Sequence, residues 1–362
     1  MGQNPIALPV LLLVPRIAKL SFVLVALAAS LATVLGGLIA GRGDASPLGH
    51  DALKGSKPVV LAFGGDVHFE GVLKAKLAAS PARVLAPIQP LLDDADLAVV
   101  NLETAVTSGG VPAVKKFVFS TPPSAFAALR GGGVDVASMA NNHGMDFGES
   151  GLRESLTAAR QYRFPVIGIG LDGKQAYRPF RRTISGQRIA VIGATQVLDE
   201  ELISAWTAAP NKPGLASAKE VPRLLREVRA ARRTSDTVVV FLHWGVELEQ
   251  CPTADQRMLA KQLVSAGADV VVGGHAHRLQ GTGRMGNALV GYGLGNFAWY
   301  GTSELSTQTG VLFVTVTGRR VNGYRWAPAR IVDGVPRASS GAERRRELAS
   351  WRSLRECAGL KR

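Results

Sequence analysis

The chain has 362 residues, a formal net charge of +14 and 46% hydrophobic residues. This length predicts one large domain or two ordinary ones, and the apolar content is ample for a packed core. The two cysteines, Cys251 and Cys357, exclude a framework of several disulfides and leave either one bridge or two free thiols. The sequence has no basic segment interleaved with aromatic residues and no nucleic-acid fold signature, so the charge does not predict a nucleic-acid partner.

The amino-terminal part of the chain predicts a membrane anchor. Residues Leu20 to Gly41 carry no charge and are long enough to cross a hydrocarbon core of about 30 Å as one helix. We therefore expect an amino-terminal segment over residues 1–19, a transmembrane helix over 20–41 and a linker rich in Gly, Ser and Pro over 42–57. A cleaved secretory signal is the alternative, although the apolar run is longer than an ordinary signal requires. The basic residues on either side of the run do not decide its orientation.

From Pro58 onward, short apolar runs alternate with helical patterns. Runs that are apolar almost throughout indicate strands covered on both faces. The predicted strands are Val59–Phe63, Leu97–Val100, Val134–Ser138, Thr237–Leu242 and Ala268–Val272. The predicted helices are Glu149–Tyr162, Glu220–Ala231 and Thr253–Ala266. Three later runs have a period of two and predict antiparallel strands: Leu289–Tyr292, Val311–Val316 and Val321–Trp326.

The carboxyl-terminal part is strongly basic. From Arg319 to Arg362 there are twelve Lys and Arg against four Asp and Glu. We predict that the main domain covers residues 58–330 and that a basic tail, largely helical, covers 331–362. A stripe at steps of three predicts how this helix docks: Leu348, Trp351, Leu354 and Cys357. The charge favours contact with an anionic polymer or lipid, or else belongs to a solvated helix.

Five of the six histidines fall in five short segments, each placed where a predicted strand ends. In chain order the segments carry Asp-x-His, a carboxylate, Asn-His, His and His-x-His: Gly64–Gly71, Val99–Val106, Met139–Gly148, Phe241–Glu247 and Val271–Gly281. Ligands bind at the carboxyl ends of strands in sheets that are covered on both faces. We therefore expect the five segments to converge on one rim. The sixth histidine, His50, lies in the predicted linker.

These segments supply a ligand set for metal ions. The candidate ligands are Asp66, His68, Glu103, Asn142, His243, His275 and His277. Mixed oxygen and nitrogen ligands without thiolate suit Mn, Fe, Zn or Co. Seven ligands are too many for one ion and suit two divalent ions about 3.5–4 Å apart. His143 is left over, and we predict that it protonates a leaving group or stabilises developing charge.

The ordered motifs resemble those of the calcineurin-like metallophosphoesterases. Their particular forms resemble one branch, the CapA family of poly-γ-glutamate capsule-biosynthesis proteins, over Pro58 to Thr317. The forms are Asn101-Leu102-Glu103, Asn141-Asn142-His143, His243-Trp244-Gly245-x-Glu247 and Leu294-Gly295-Asn296-Phe297. The resemblance implies an α/β fold, a four-layer α/β/β/α two-sheet sandwich, and a single-pass cell-membrane anchor with residues 1–19 in the cytoplasm and the domain outside the cell.

The resemblance also implies a role for each site residue. Asp66, His68 and His277 would hold one metal, and Asn142, His243 and His275 the other, with Glu103 between them and His143 as the catalytic imidazole. The remaining motif residues would contact substrate: Asn101, Asn141, Trp244, Glu247 and Asn296. The sequence departs from the phosphoesterase pattern twice. Leu102-Glu103 replaces Gly-Asp, and Gly144 stands where an acid follows the Asn-His pair.

The resemblance implies two alternative functions. The first is a metal-dependent hydrolase or transferase acting on a phosphoryl or γ-glutamyl amide bond. The second is a non-catalytic accessory or export subunit of capsular polymer synthesis. Under either, the expected partners are the membrane, an anionic polymer such as poly-γ-glutamate, and subunits of a capsule synthase or export machinery.

Overall fold

The computed structural model describes residues 56–362. The predicted cytoplasmic segment, the transmembrane helix over 20–41, His50 and nearly all of the linker lie outside these residues. No helix within residues 56–362 combines the length and the apolar composition that a membrane crossing needs.

The strands confirm the predicted α/β alternation and add several short elements. They are β1 (Val59–Val67), β2 (Leu97–Leu102), β3 (Ala105–Val106), β4 (Ser120–Thr121), β5 (Val136–Ser138), β6 (Val166–Ile167), β7 (Ile169–Gly170), β8 (Phe180–Ile184), β9 (Gln187–Thr195), β10 (Gly214–Leu215), β11 (Thr237–Trp244), β12 (Val270–His275), β13 (Thr282–Met285), β14 (Ala288–Gly291), β15 (Asn296–Ala298), β16 (Gln308–Thr317), β17 (Arg320–Val332) and β18 (Val335–Ala338).

The helices lie between the strands and at the carboxyl terminus. They are α1 (Val72–Ala79), α2 (Gln89–Leu92), α3 (Ala125–Gly131), α4 (Gly148–Gln161), α5 (Gly173–Ala176), α6 (Ile203–Trp206), α7 (Val221–Thr234), α8 (Ala254–Ala266), α9 (Glu304–Thr307), α10 (Gly341–Ser353) and α11 (Arg355–Ala358). The three predicted internal helices are thus confirmed as α4, α7 and α8. A capping box starts α8, in which Thr253 and Gln256 bond each other's backbone N–H groups.

The strands form two large sheets. The order of the first is β18-β17-β16-β1-β2-β5-β6, with β15 also pairing with β1. The order of the second is β13-β14-β12-β11-β9-β8. Four neighbouring strands are parallel in each sheet, β1-β2-β5-β6 in the first and β9-β11-β12-β14 in the second. The predicted antiparallel strands are confirmed for β16 and β17, whereas β14 is antiparallel only to β13 and runs parallel to β12.

Three apolar clusters show how the layers pack. One lies between the sheets and takes Leu61 and Phe63 from β1 and Val239 and Phe241 from β11. The second joins the other face of the first sheet to α1, α3 and α4, and the third joins the other face of the second sheet to α7 and α8. Neighbouring residues of one strand therefore enter different clusters, which is why the strand sequences are apolar throughout.

The amino ends of the parallel strands are closed by four aspartates. Asp96, Asp135, Asp236 and Asp269 each precede a strand, and each accepts a backbone N–H from the adjacent strand at 2.8–2.9 Å. Each also donates its own N–H to the carbonyl of that same residue in the adjacent strand. These contacts pair backbone groups that would otherwise have no partner at the end of a ladder.

The carboxyl-terminal helices dock on the main domain. Trp351 of α10 is buried and stacks on Trp326 of β17 with ring centroids 5.6 Å apart. Cys357 of α11 forms a disulfide with Cys251, which lies in the loop between β11 and α8. The sequence left this pair open, and the structure assigns one bridge that joins residues 106 positions apart.

Candidate metal centre

The predicted ligands all lie at the carboxyl ends of parallel strands. Those from the first sheet are Asp66 in β1, His68 directly after it, Glu103 after β2 and Asn142 after β5. Those from the second sheet are His243 in β11, His275 at the end of β12 and His277 two residues later. The two sheets pack face to face with these ends on the same side, so residues more than 200 positions apart come into contact: the backbone N–H of His275 donates to Asp66 Oδ2 at 3.0 Å.

Two groups of three side chains are close enough to hold a cation each. In the first, ligand atoms of Glu103, His243 and His275 lie within 4.8 Å of one another, and in the second those of Asp66, Glu103 and His277 do so. His243 Nε2 is 3.3 Å from Glu103 Oε1, and His277 Nδ1 is 3.5 Å from Asp66 Oδ2. The groups share Glu103, so its carboxylate lies between two adjoining positions.

The other two predicted ligands, Asn142 and His68, differ in their position relative to these two groups. The side-chain oxygen of Asn142 is 2.8 Å from His243 Nε2, which places it beside the first group. His68 belongs to neither group. Its ring stacks on Trp299 with centroids 3.7 Å apart, and both of its ring nitrogens are buried without a hydrogen-bond partner. The structure therefore brings His68 to the same rim but does not assign it to a particular position.

The backbone at the end of β12 has an uncommon conformation. His275 and His277 have φ angles of 90° and 50°, in the region that favours glycine. The adjacent Gly274 is required by close packing, because a Cβ there would lie 2.1 Å from Asp66 Oδ1. Backbone strain of this kind persists where the surroundings hold it in place, and it often accompanies functional sites.

Of the predicted substrate contacts, Asn101 and Asn296 bond candidate ligands directly, and Asn141 bonds Asn101. The Asn101 amide nitrogen is 2.8 Å from Asp66 Oδ1 and 3.1 Å from His243 Nδ1. Asn141 donates to Asn101 Oδ1 at 3.0 Å, and Asn296 Oδ1 is 2.8 Å from His277 Nδ1. All three side chains are buried, and the bonds of Asn101 and Asn296 can orient candidate ligand side chains.

Trp244 does not lie at the rim, in contrast to the role predicted for it. Its side chain is fully buried in the cluster between the second sheet and its helices, and its indole N–H donates to the Tyr292 carbonyl at 2.7 Å. Successive side chains of a strand point to opposite faces of the sheet. Because the His243 side chain points toward the rim, that of Trp244, the next residue, points away from it. Glu247 is exposed in the loop after β11.

The sequence prediction missed the partners of His143. Asp146 is fully buried, and its Oδ2 lies 2.6 Å from His143 Nδ1. Its Oδ1 accepts from Lys115 Nζ at 2.9 Å, and Lys115 also bonds the carbonyl of Asn142. An acid three residues after the histidine thus supplies the carboxylate that Gly144 cannot. The signal was present as His-Gly-Met-Asp, but Lys115 is in a loop whose position the sequence does not indicate.

Burial controls the protonation of the rim in the metal-free protein. It raises the pKa of Asp66 to about 7, with repulsion from Glu103 adding to the effect, and it raises the pKa of Glu103 to about 7. Burial also lowers the pKa of His243 and His275 well below the usual value, so both rings are neutral at neutral pH. The pKa of His143 is lowered by burial, against the opposing effect of Asp146.

The residues fit divalent cations. Both carboxylate oxygens of Glu103, both ring nitrogens of His68 and Nδ1 of His275 are buried with no hydrogen-bond partner. Buried polar atoms are nearly always paired, so this concentration of unpaired atoms in one place indicates a missing partner. Neutral imidazoles and carboxylates are the form in which these side chains bind a metal.

Comparison with known proteins identifies relatives of the chain. The family described as "Bacterial capsule synthesis protein PGA_cap" matches residues 60–300, which include every rim residue described above. The PGA biosynthesis protein CapA of Bacillus subtilis (strain 168) is 29% identical over 245 residues, 66% of this chain and 62% of that protein. The capsule biosynthesis protein CapA of Bacillus anthracis is 29% identical over 224 residues, 60% of this chain and 53% of that protein.

A third relative, a probable polyglutamine synthesis accessory protein of Mycobacterium tuberculosis, is 28% identical over 189 residues, 50% of each chain. The chain thus spans between 50% and 62% of the length of these curated relatives. The family match covers most of the chain and contains both ligand groups. The chain therefore belongs to the PGA_cap family of bacterial capsule synthesis proteins, within the calcineurin-like metallophosphoesterase superfamily.

Proposed function

We propose that this protein is a metal-dependent hydrolase of capsular poly-γ-glutamate metabolism, acting on a phosphoryl or γ-glutamyl amide bond. The observation that carries the proposal is the pair of ligand groups sharing Glu103, whose two carboxylate oxygens have no other partner. An accessory role alone would not require unpaired carboxylates and imidazoles to be buried together.

The ligand groups suggest which residues would hold each ion. Glu103, His243 and His275, with Asn142 beside them, would hold one, and Asp66, Glu103 and His277 the other. A pair of divalent cations supplies positive charge to the attacking and leaving oxygens of a displacement. The amides of Asn101 and Asn296 would fix the ligand rings and carboxylates in place.

His143 would be the proton-transfer group of the reaction. A carboxylate can only accept a hydrogen bond, so Asp146 holds the proton of His143 on Nδ1 and leaves Nε2 for the substrate. Asp146 would also stabilise the imidazolium that forms when Nε2 takes a proton. Lys115 ties Asp146 to the backbone of Asn142, so the proton-transfer group and one ligand loop are held together.

We further propose that the domain lies outside the cell, anchored by the charge-free run Leu20 to Gly41. The Cys251–Cys357 disulfide supports this placement, because such bonds persist in oxidising compartments. Protease added to intact cells should digest the domain. Full protection until lysis would reverse the orientation.

The test of the enzymatic proposal compares two histidine variants of the full-length protein. His143→Ala should lower turnover by about 10²–10⁴-fold while keeping the metal content, because His143 is not a ligand. His275→Ala should lose both. Elemental analysis is run beside assays on a phosphodiester, a phosphomonoester and poly-γ-glutamate. Metal-loaded wild-type protein without turnover on any of these would contradict a hydrolase of this kind.

The second candidate is an accessory subunit of polymer synthesis or export. Two observations favour it: the name of the mycobacterial relative, and the excess of basic residues between Arg319 and Arg362. If His143→Ala still supports capsule formation in cells that require the wild-type gene, the accessory role is the better description.

A further inference from the structure

A positively charged surface lies away from the candidate metal centre, which we call the metal rim. It is found where β6, the edge strand of the first sheet, lies near β8, the edge strand of the second. Two adjoining cavities of about 500 and 470 Å³ share Arg163, Phe164, Pro165, Phe180 and Arg181, and they form one groove between α4, β6 and the edge strand β8. We call it the arginine groove, after the six arginines that line it: Arg130, Arg160, Arg163, Arg178, Arg181 and Arg182.

The charge of the arginine groove is barely neutralised. Asp135 is the one acidic residue in its lining, and it pairs with Arg182 at 3.0 Å. Other guanidinium groups bond neutral oxygens: Arg130 the carbonyls of the turn after α4, and Arg181 the hydroxyls of Thr234 and Ser235 at 2.9 and 2.8 Å. Neutral acceptors orient a guanidinium and leave its charge available, and its planar fork matches a carboxylate.

One of these arginines stands where the backbone favours glycine. Arg163 follows the end of α4 with φ of 48°. Its N–H bonds the Arg160 carbonyl at 3.0 Å, and the next N–H, of Phe164, reaches back to Ala159 at 2.9 Å. This is the Schellman arrangement, whose left-handed position is usually glycine. A large charged residue at this position destabilises the turn, so stability does not explain its presence.

The floor of the groove is apolar. Phe164, Pro165, Val166 and Phe180 lie between the arginines. A flat lipid surface would meet the arginine tips but not this floor, whereas a chain with both carboxylates and methylene groups could meet both. We propose that the arginine groove binds an extended polycarboxylate chain with methylene spacers between its carboxylates, as a holding site separate from the metal rim.

The choice of poly-γ-glutamate as this polymer rests on the proposed function. The groove itself does not, because it lies toward the amino end of β5, at Val134 and Asp135, whereas the metal rim lies beyond the carboxyl end of the same strand. A chain held in the groove would keep the polymer near the domain without occupying the metal centre. Binding should therefore be independent of metal.

The test compares two triple variants of the full-length chain with the same change in charge. The groove variant is Arg160→Gln, Arg163→Gln and Arg178→Gln. The control is Arg344→Gln, Arg345→Gln and Arg346→Gln on α10, where all three arginines are exposed. With fluorescent poly-γ-glutamate at 0.15 M salt, the groove variant should bind about tenfold or more weakly than wild type, and the control within about twofold. Equal losses in both would overturn the inference.

A single variant separates binding from folding. Arg163→Gly should weaken polymer binding while leaving the melting temperature unchanged or higher, since glycine suits the left-handed position. Unchanged affinity in this variant and in the groove variant would overturn the inference. So would a groove variant that loses binding to anionic vesicles but keeps its affinity for the polymer.

The same measurements distinguish this inference from the proposed function. Polymer binding is measured with chelator present and in His275→Ala, where turnover cannot occur. Retained binding there supports the groove even if the wild-type protein hydrolyses none of the substrates tested. Turnover on a phosphoester with no polycarboxylate binding would instead leave the hydrolase and overturn the groove.

Discussion

Carboxylates at the two ends of the parallel strands differ in their hydrogen-bond partners. At the amino ends, Asp96, Asp135, Asp236 and Asp269 accept backbone N–H groups of neighbouring strands, and three of the four also pair with arginine. At the carboxyl ends, Glu103 is buried with neither oxygen paired. Carboxylates thus complete the backbone hydrogen bonding at the amino ends of the strands, whereas the Glu103 carboxylate at the carboxyl ends has no compensating partner.

This difference separates residues that stabilise the fold from residues held ready for a ligand. A buried carboxylate is destabilising unless hydrogen bonds or a cation compensate it. Removing a carboxylate should therefore lower stability at the amino ends, whereas removing that of Glu103 at the carboxyl ends should raise stability in the absence of metal. The following predictions test that contrast, beginning with the substitution of largest expected effect.

Asp269→Ala should lower the free energy of unfolding by about 3 kcal/mol, because it leaves Arg232 and the Val238 N–H without their partner in a buried setting. The Asp269 side chain is 5% exposed, and its Oδ2 lies 2.5 Å from Arg232. Denaturant unfolding measures the change. Asp93→Ala, at an exposed site, is the control and should stay within about 0.5 kcal/mol of wild type.

Glu103→Met should raise the unfolding free energy of the chelator-treated protein at pH 8 by about 1–3 kcal/mol. The substitution replaces an unpaired buried charge with an apolar side chain of similar size. The same variant should bind no metal pair and show no turnover. A less stable variant under chelation would mean that Glu103 has compensating partners within the protein.

The pH dependence of the metal-free protein should reveal the same carboxylates. Asp66 and Glu103 have pKa values of about 7 in the folded state, against about 4 unfolded. The folded state therefore binds more protons between these values. Stability should fall with rising pH across pH 4 to 7, by about 1 kcal/mol per pH unit for each carboxyl, and level off above.

Metal affinity should show the opposite trend, because binding displaces those protons. Titration with Mn²⁺ or Zn²⁺ should give affinity rising by up to about tenfold per pH unit for each proton displaced, up to about pH 7. An affinity that does not change between pH 6 and 7 would contradict ligation by these two carboxylates.

Asp236→Asn should give the smallest effect, a loss of about 0.5–1 kcal/mol at pH 7, since its partner Arg188 is 41% exposed and screened by solvent. Hydrogen bonding from Arg188 lowers the pKa of Asp236. Its stabilisation is therefore present above the unfolded pKa of about 4 and disappears as pH falls through the lower folded value. Unfolding curves of wild type and variant should converge in acid.

The sequence was sufficient to predict elements whose pattern depends only on residues adjacent in the chain. The buried strand predicted over Val59–Phe63, which the structure extends to Val67, and the rim histidines follow from continuous apolar runs that end near candidate ligand residues. The aspartates at the amino ends were equally visible as Asp directly before a run, as in Asp236-Thr237-Val238, but their partners depend on which strands are neighbours. Strand pairing sets these contacts, and the sequence pattern does not contain it.

The roles of individual rim residues were harder to predict for the same reason. Asn101 lies opposite Asp66 in the β1–β2 register, so its amide bonds the Asp66 carboxylate, a contact that depends on strand pairing. Trp244 could have been excluded from the rim by strand alternation alone, given His243 beside it. Lys115 reaches Asp146 from a loop, and no periodicity indicates where a loop side chain will end.

The disulfide also determines how the domain would respond to mechanical tension. It joins Cys251 to Cys357 and encloses α8 through α10, including His275 and His277. If one end of the chain were pulled from before Cys251 and the other from after Cys357, the force would pass through the S–S bond, and the segment between the two cysteines would not be stretched. Reduction should therefore lengthen the fully extended chain by about 350 Å, since each of the 106 steps adds about 3.3–3.6 Å. In the oxidised protein, two candidate metal-ligand histidines lie in a part of the chain that tension cannot extend.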